Sequence, residues 1–158
     1  MYDRILVPTD GSAGMGGVVR HAVELAAFHD AEIHGLYVVE TGRYSTLPVK
    51  TGWENLTEML REEGETALDD LREQTGDVPV ETVTRDGVPS TAIVEYALDA
   101  DCDAIVMGTH GRGGIDRLLL GSVAERVVRA SPVPVTTVPV SDHEMAAPTD
   151  ETQARAPK

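Results

Sequence analysis

The residues best suited to chemistry lie between Gly108 and Ser122, in the run Gly108-Thr109-His110-Gly111-Arg112-Gly113-Gly114-Ile115-Asp116-Arg117-Leu118-Leu119-Leu120-Gly121-Ser122. Glycines let backbone N–H groups turn inward and approach an anion with no side chain in the way. Gly121-Ser122 then opens a helical pattern, whose unpaired N–H groups and positive dipole end favour phosphate. Ser122 adds a hydroxyl, and Arg112 and Arg117 add positive charge. His110 suits a hydrogen bond to phosphate or backbone better than catalysis. The stretch reads as a phosphate cradle; the plainer reading is a strand-to-helix turn.

A second loop runs from Pro8 to Gly17. Its Asp10 follows an apolar run and has two readings, a ligand group or an Asx turn closing a strand end. The P-loop pattern fails here. Gly11 and Gly16 have the required spacing, but Gly17 and Val18 stand where Lys and Ser/Thr are needed. Neither loop holds Gly-x-Gly-x-x-Gly in register, so the dinucleotide fingerprint is absent. Asp99-Ala100-Asp101-Cys102-Asp103 imitates the start of a calcium loop. Ala104 replaces its glycine and His110 its bidentate Glu, so a solvated turn is expected. His21, His29, His34 and His143 lack metal-ligand spacing. Asn55-Leu56-Thr57 is a glycosylation sequon only in a secreted chain.

Elements must hold these loops in place. Ile5-Leu6-Val7 is a short continuous apolar run, the pattern of a strand buried on both faces. Val18, Ala22, Leu25 and Ala26 recur at helical spacing from about Gly17 to His29. The glycines at 14, 16 and 17 each cost a helix about 0.8–1 kcal/mol relative to Ala, so this helix is expected to begin late, near Gly17. Further strands are expected over Glu32–Val39, Val78–Arg85, Ala104–Met107 and Val133–Val140. Helices are expected over Trp53–Glu73, from Pro89 through Leu98, and over Ser122–Ala130, with a loop over Thr41–Gly52. Pro134 and Pro139 place the last strand at a sheet edge. On that strand Val133, Val135 and Thr137 share one face, and Thr136, Val138 and Val140 the other. Strands alternating with helices give a doubly wound α/β fold with a parallel sheet. In such a sheet ligands bind at the carboxyl ends, where strand order reverses. One domain over residues 1–140 and a disordered acidic tail over 141–158 complete the reading.

Composition narrows the function classes. The 158 residues carry 27 Asp and Glu against 13 Lys and Arg, a net charge of −14, and Lys50 and Lys158 are the only lysines. Such a surface repels polyanions, so nucleic acid is not an expected partner. Self-repulsion is screened at high salt, where the Debye length falls to roughly 3 Å near 1 M, so the charge points to a high-salt cytoplasm. No apolar run reaches the roughly 18 residues of a membrane span, and no basic leader precedes Ile5, so neither membrane nor secretion is expected. A lone Cys102 excludes an internal disulfide and is expected to be a small buried residue.

Gly108, Gly111, Gly121 and Ser122 have the spacing that nucleotide-binding universal stress proteins carry. The flanks Val106-Met107-Gly108 and Ser122-Val123-Ala124-Glu125-Arg126-Val127 are also similar to that family. So are Ile5-Leu6-Val7-Pro8-Thr9-Asp10-Gly11-Ser12 and Ser131-Pro132-Val133-Pro134-Val135. The resemblance spans about Met1 to Val140 and implies five parallel strands in the order 3-2-1-4-5, binding ATP. It places Asp10 beside the adenosine, close to the ribose, with Pro8 and Thr9 also expected to bind the nucleotide, backbone at Val38 on the adenine edge, and Met107 near base and ribose. Gly108, Gly111, Gly121, Ser122 and Val123 would hold the phosphates, with Arg112 the nearby charge and Mg²⁺ or Mn²⁺ carried by the phosphates. It also implies a homodimer through the last strand. The expected function is an ATP-dependent switch in the stress response with slow hydrolysis or none, since no Walker lysine or nucleophile–base pair is present. The alternatives are an ATPase or phosphotransferase using Asp10, and a nucleotide-free homodimeric scaffold.

Overall fold

A computed structural model describes residues 1–44, 50–110 and 119–140. The strands are β1 (Arg4–Pro8), β2 (Glu32–Val39), β3 (Val80–Asp86), β4 (Ala104–Gly108) and β5 (Val135–Val138). The helices are α1 (Met15–His29), α2 (Lys50–Thr75), α3 (Pro89–Asp99) and α4 (Ser122–Ala130), with a 3₁₀ turn at Thr41–Tyr44. The sheet order is β3-β2-β1-β4-β5 and every pairing is parallel, as the sequence led us to expect.

Alternation along the strands divides the core into two layers. Ile5 and Val7 of β1, Ile33 of β2 and Val106 of β4 pack with Val18, Ala22 and Ala26 of α1 and with Leu71 of α2. Leu6, Leu36, Ile105 and Met107 point to the other face and meet Ile93 and Tyr96 of α3 and Val127 of α4. Successive side chains of a strand leave opposite faces, so a run such as Ile-Leu-Val is buried throughout only when helices cover both. On β5 and the residues flanking it the expected split holds for the valines, with Val133 and Val135 packed on the α3–α4 layer and Val138 and Val140 on the α1 layer.

Several boundaries differ from the sequence reading. Helix α1 begins at Met15, so Gly16 and Gly17 lie inside it. Ser12 O accepts the Met15 N–H at 3.2 Å, and Met15 is only 8% exposed. Burying that side chain outweighs the weak helix propensity of the glycines. Strand β5 is only Val135–Val138, flanked by the two prolines that were expected inside it. Pro139 therefore ends the ladder. Strand β3 starts at Val80 because the Val78 N–H closes a turn on Thr75 O at 3.2 Å. Of the expected loop at 41–52, residues 41–44 form the 3₁₀ turn and residues 50–52 already belong to α2. That helix starts ahead of the expected Trp53 and runs past Glu73 to Thr75. Residues 45–49 lie outside the described residues, as does the expected tail at 141–158.

The amino ends of the strands are fixed by charge. The Asp103 carboxylate accepts the backbone N–H groups of Asp3 at 2.7 Å and Arg4 at 3.0 Å, tying the start of β1 to the turn before β4. That turn is more than solvated, for Asp99 also pairs with Arg85 at 2.9 Å. His34, 4% exposed, shares one hydrogen bond with the Tyr96 hydroxyl at 2.9 Å and another with Glu32 at 3.1 Å. Arg4 donates to the same Glu32 oxygen at 2.8 Å. Cys102 is buried, and burial pushes its thiol up to about 11.

Candidate functional site

In the order β3-β2-β1-β4-β5 the chain reverses direction of winding at β1 and β4, and both expected loops leave the carboxyl ends of those strands. Pro8 closes β1 opposite Leu36, so Val38 lies further along the carboxyl end of β2. Thr9 is buried, donates its N–H to Leu36 O at 2.9 Å, and accepts the Gly11 N–H on its hydroxyl at 3.1 Å. Asp10 accepts the Ser12 N–H at 2.9 Å, an Asx turn. Gly11 between them has φ of 74°, a left-handed conformation that favours glycine. The turn holds Asp10 half-buried at the end of β1.

Val38, Met107 and Val123 converge on the α3–α4 layer, where Met107 is in the core and the other two pack against it. Those three residues come from three separate elements, and the fold brings them to one side of the sheet. Beyond Met107, Gly108 ends β4 and Thr109 makes two backbone links. Its N–H donates to Val138 O at 3.0 Å, and its carbonyl accepts the Gly121 N–H at 2.7 Å. The Thr109 hydroxyl and His110 Nδ1 share a hydrogen bond at 2.8 Å.

Gly121 is the N-cap of α4, with φ of −61° and ψ of 157°, and as a glycine it brings no side chain to cap the helix. An extended backbone of this kind suits any residue, so conformation is not what calls for glycine. A Cβ there would lie 3.0 Å from Thr109 O and 3.4 Å from His110 Cα. Close backbone approach is the requirement. Ser122 follows, exposed at the first turn, with Val123 half-buried behind it. First-turn N–H groups lack intrahelical partners, so a helix start capped by a glycine suits an anion. Gly111 and Arg112 lie outside the described residues.

A cavity of about 290 Å³ opens on the other side of the first loop, between Thr9, Ser12, Met15 and Val19 on one wall and Asp70 and Leu71 of α2 on the other. Of the expected site residues it includes Thr9 alone. Among the described residues no group of three His, Cys, Asp or Glu could hold a metal ion, and no helix is long and apolar enough to cross a membrane. Thr109 was not singled out in the sequence as a site residue. Its part is played by backbone atoms, and side-chain identity carries no signal of that.

The universal stress protein family matches residues 1–139. Universal stress protein MJ0531 of Methanocaldococcus jannaschii is 41% identical over 140 residues, covering 87% of this chain and 82% of that one. The solved structure of MJ0577, from the same organism, is similar at a TM-score of 0.79 and 29% identity, covering 90% of this chain and 99% of its own. A universal stress protein solved in complex with cAMP is similar at a TM-score of 0.64 and 27% identity, with 89% and 98% covered. One from Archaeoglobus fulgidus, in complex with dAMP, has a TM-score of 0.61 at 25% identity, with 86% and 97% covered. A match along nearly the whole described chain and a sheet wound in the 3-2-1-4-5 order lead to one assignment: this chain belongs to the universal stress protein family.

Proposed function

We propose that this protein binds ATP at the carboxyl ends of β1, β2 and β4 and uses it as a switch in the stress response, with slow hydrolysis or none. One observation carries the reading: the N-terminus of α4, whose N-cap is a glycine, is held by Gly121 against Thr109 beside the end of β4. The phosphates sit on the first turn of α4 with Ser122, on Gly108 at the end of β4, and on Gly111 and Arg112. The base lies on the side where Val38 and Met107 converge, with Pro8, Thr9 and Asp10 beside the ribose. Relatives solved with cAMP and dAMP support an adenine nucleotide as the ligand class. Mg²⁺ or Mn²⁺ is carried by the phosphates rather than by a cluster of carboxylates. The working form is a cytoplasmic homodimer paired through β5, and its acidic surface suits high salt.

Nucleotide content of the purified protein tests the reading directly. Bound ATP, or ATP affinity above that for AMP and cAMP in calorimetry, supports the switch. Bound ADP with turnover would favour the ATPase reading. A protein that takes up no adenine nucleotide would leave the scaffold.

A further inference from the structure

Gly108 ends β4 two residues after Val106, whose side chain belongs to the α1 layer. Strand alternation therefore aims position 108 at α1 as well, away from the face where Met107 and Val38 converge. A Cβ built on Gly108 would lie 2.6 Å from Val140 Cγ2, 3.2 Å from His110 O and 3.6 Å from Val18 Cγ2. The first distance is far inside van der Waals contact. Valine is stiff at χ1, and Val140 is already packed against the α1 layer, so it cannot turn aside cheaply.

We propose that Gly108 is a positioning residue: the space left by its missing side chain seats Val140, and this packing fixes the end of β4 that carries the cradle. The proposal rests on the nucleotide reading above and gives Gly108 a second task besides its place against the phosphates. The route from this seat to the site is short. The residue after Gly108 is Thr109, tied by its N–H to Val138 O at 3.0 Å and by its carbonyl to the Gly121 N–H at 2.7 Å. An added methyl at 108 must push either Val140 outward or the end of β4 inward. Either movement shifts Thr109, and with it Gly121 and the first turn of α4.

The test is a double-mutant cycle with Gly108→Ala, Val140→Ala and the pair, read by calorimetry with Mg-ATP and by melting temperature. Gly108→Ala alone is expected to lose about tenfold in ATP affinity, an ordinary coupling for residues in contact. Val140→Ala removes the clashing branch, so the pair should recover to within about threefold of Val140→Ala alone. A pair as weak as Gly108→Ala would overturn the proposal, because the methyl would then be acting through the His110 carbonyl or on the nucleotide and not through Val140. If the unmodified protein binds no ATP, the nucleotide reading fails by itself and the melting temperatures still decide the seat. A drop from Gly108→Ala that Val140→Ala reverses supports it, and additive drops refute it.

Discussion

The Gly121 N–H donates to the Thr109 carbonyl at 2.7 Å, joining the start of α4 to the end of β4. A Cβ at Gly121 would stand 3.0 Å from that same carbonyl oxygen. The hydrogen bond and the absence of a side chain are therefore one feature. Gly121→Val is expected to open this junction and displace the helix terminus that meets phosphate. A loss of at least tenfold in ATP affinity, about 1.4 kcal/mol, is expected in calorimetry. Unchanged affinity in a variant with an intact fold would remove the junction from the site.

Acid should weaken the fold through the amino ends of the strands. The backbone N–H groups of Arg4 and Asp3 hold the Asp103 carboxyl below its ordinary value of 3.8. His34, then Arg4, hold Glu32 below 4.5 by hydrogen bonding. A carboxyl whose value is depressed on folding contributes stability above its unfolded value and loses it as pH falls through the folded one. The contribution is thus complete at neutral pH and fades below about pH 4. Asp103→Asn should lower stability at pH 7 by about 1 kcal/mol, with the gap to the unmodified protein closing towards pH 3. A gap independent of pH would show that the Asp103 charge is not what matters.

The layers of the fold were legible because burial on both faces leaves uninterrupted apolar strands such as Ile5-Leu6-Val7. The start of α1 was not, since helix propensity at Gly16 and Gly17 is a local quantity and the burial of Met15 is not. The site divides along the same line. Gly121 is recognisable as a glycine that matters, yet its reason, contact with Thr109, joins residues too far apart for a local pattern to register. Val140 offers no local signal at all. Its importance comes from meeting Gly108, the end of another strand, and only the packed sheet brings the two together.

Salt should act on the whole molecule. A net charge of −14 on 158 residues repels itself at low ionic strength, and screening removes most of that repulsion near 1 M. The melting temperature is expected to rise from low to molar KCl, and a steady fall would refute the high-salt reading. ATP adds negative charge to an already acidic protein, so binding should require Mg²⁺ or Mn²⁺. Tight binding in excess chelator would show that the cation is dispensable.

The exposed edge of the sheet gives the last prediction. Pro134 O accepts the Ile105 N–H at 2.9 Å and Val138 O accepts the Thr109 N–H at 3.0 Å. Even-numbered residues of β5 thus turn their backbone groups towards β4, and the alternation of a parallel ladder turns those of Val135 and Thr137 outward. Pro139, also odd-numbered, has no N–H to offer, which limits any pairing to a short segment. A second copy approaching antiparallel about a two-fold axis would use Val135 and Thr137 and close both edges at once. Val138→Asp would weaken such a dimer by repulsion, but Val138 also packs on the α1 layer, so the fold itself would suffer. Thr137→Pro is the cleaner variant. It removes one outward N–H, leaves the bonds to β4 in place, and follows Thr136, which is already extended as proline requires. Light scattering in molar salt should give twice the chain mass of 16.9 kDa for the unmodified protein and a shift towards monomer for Thr137→Pro. A mass of one chain at every concentration would rule out pairing through β5, and a dimer untouched by Thr137→Pro would place the interface on another surface.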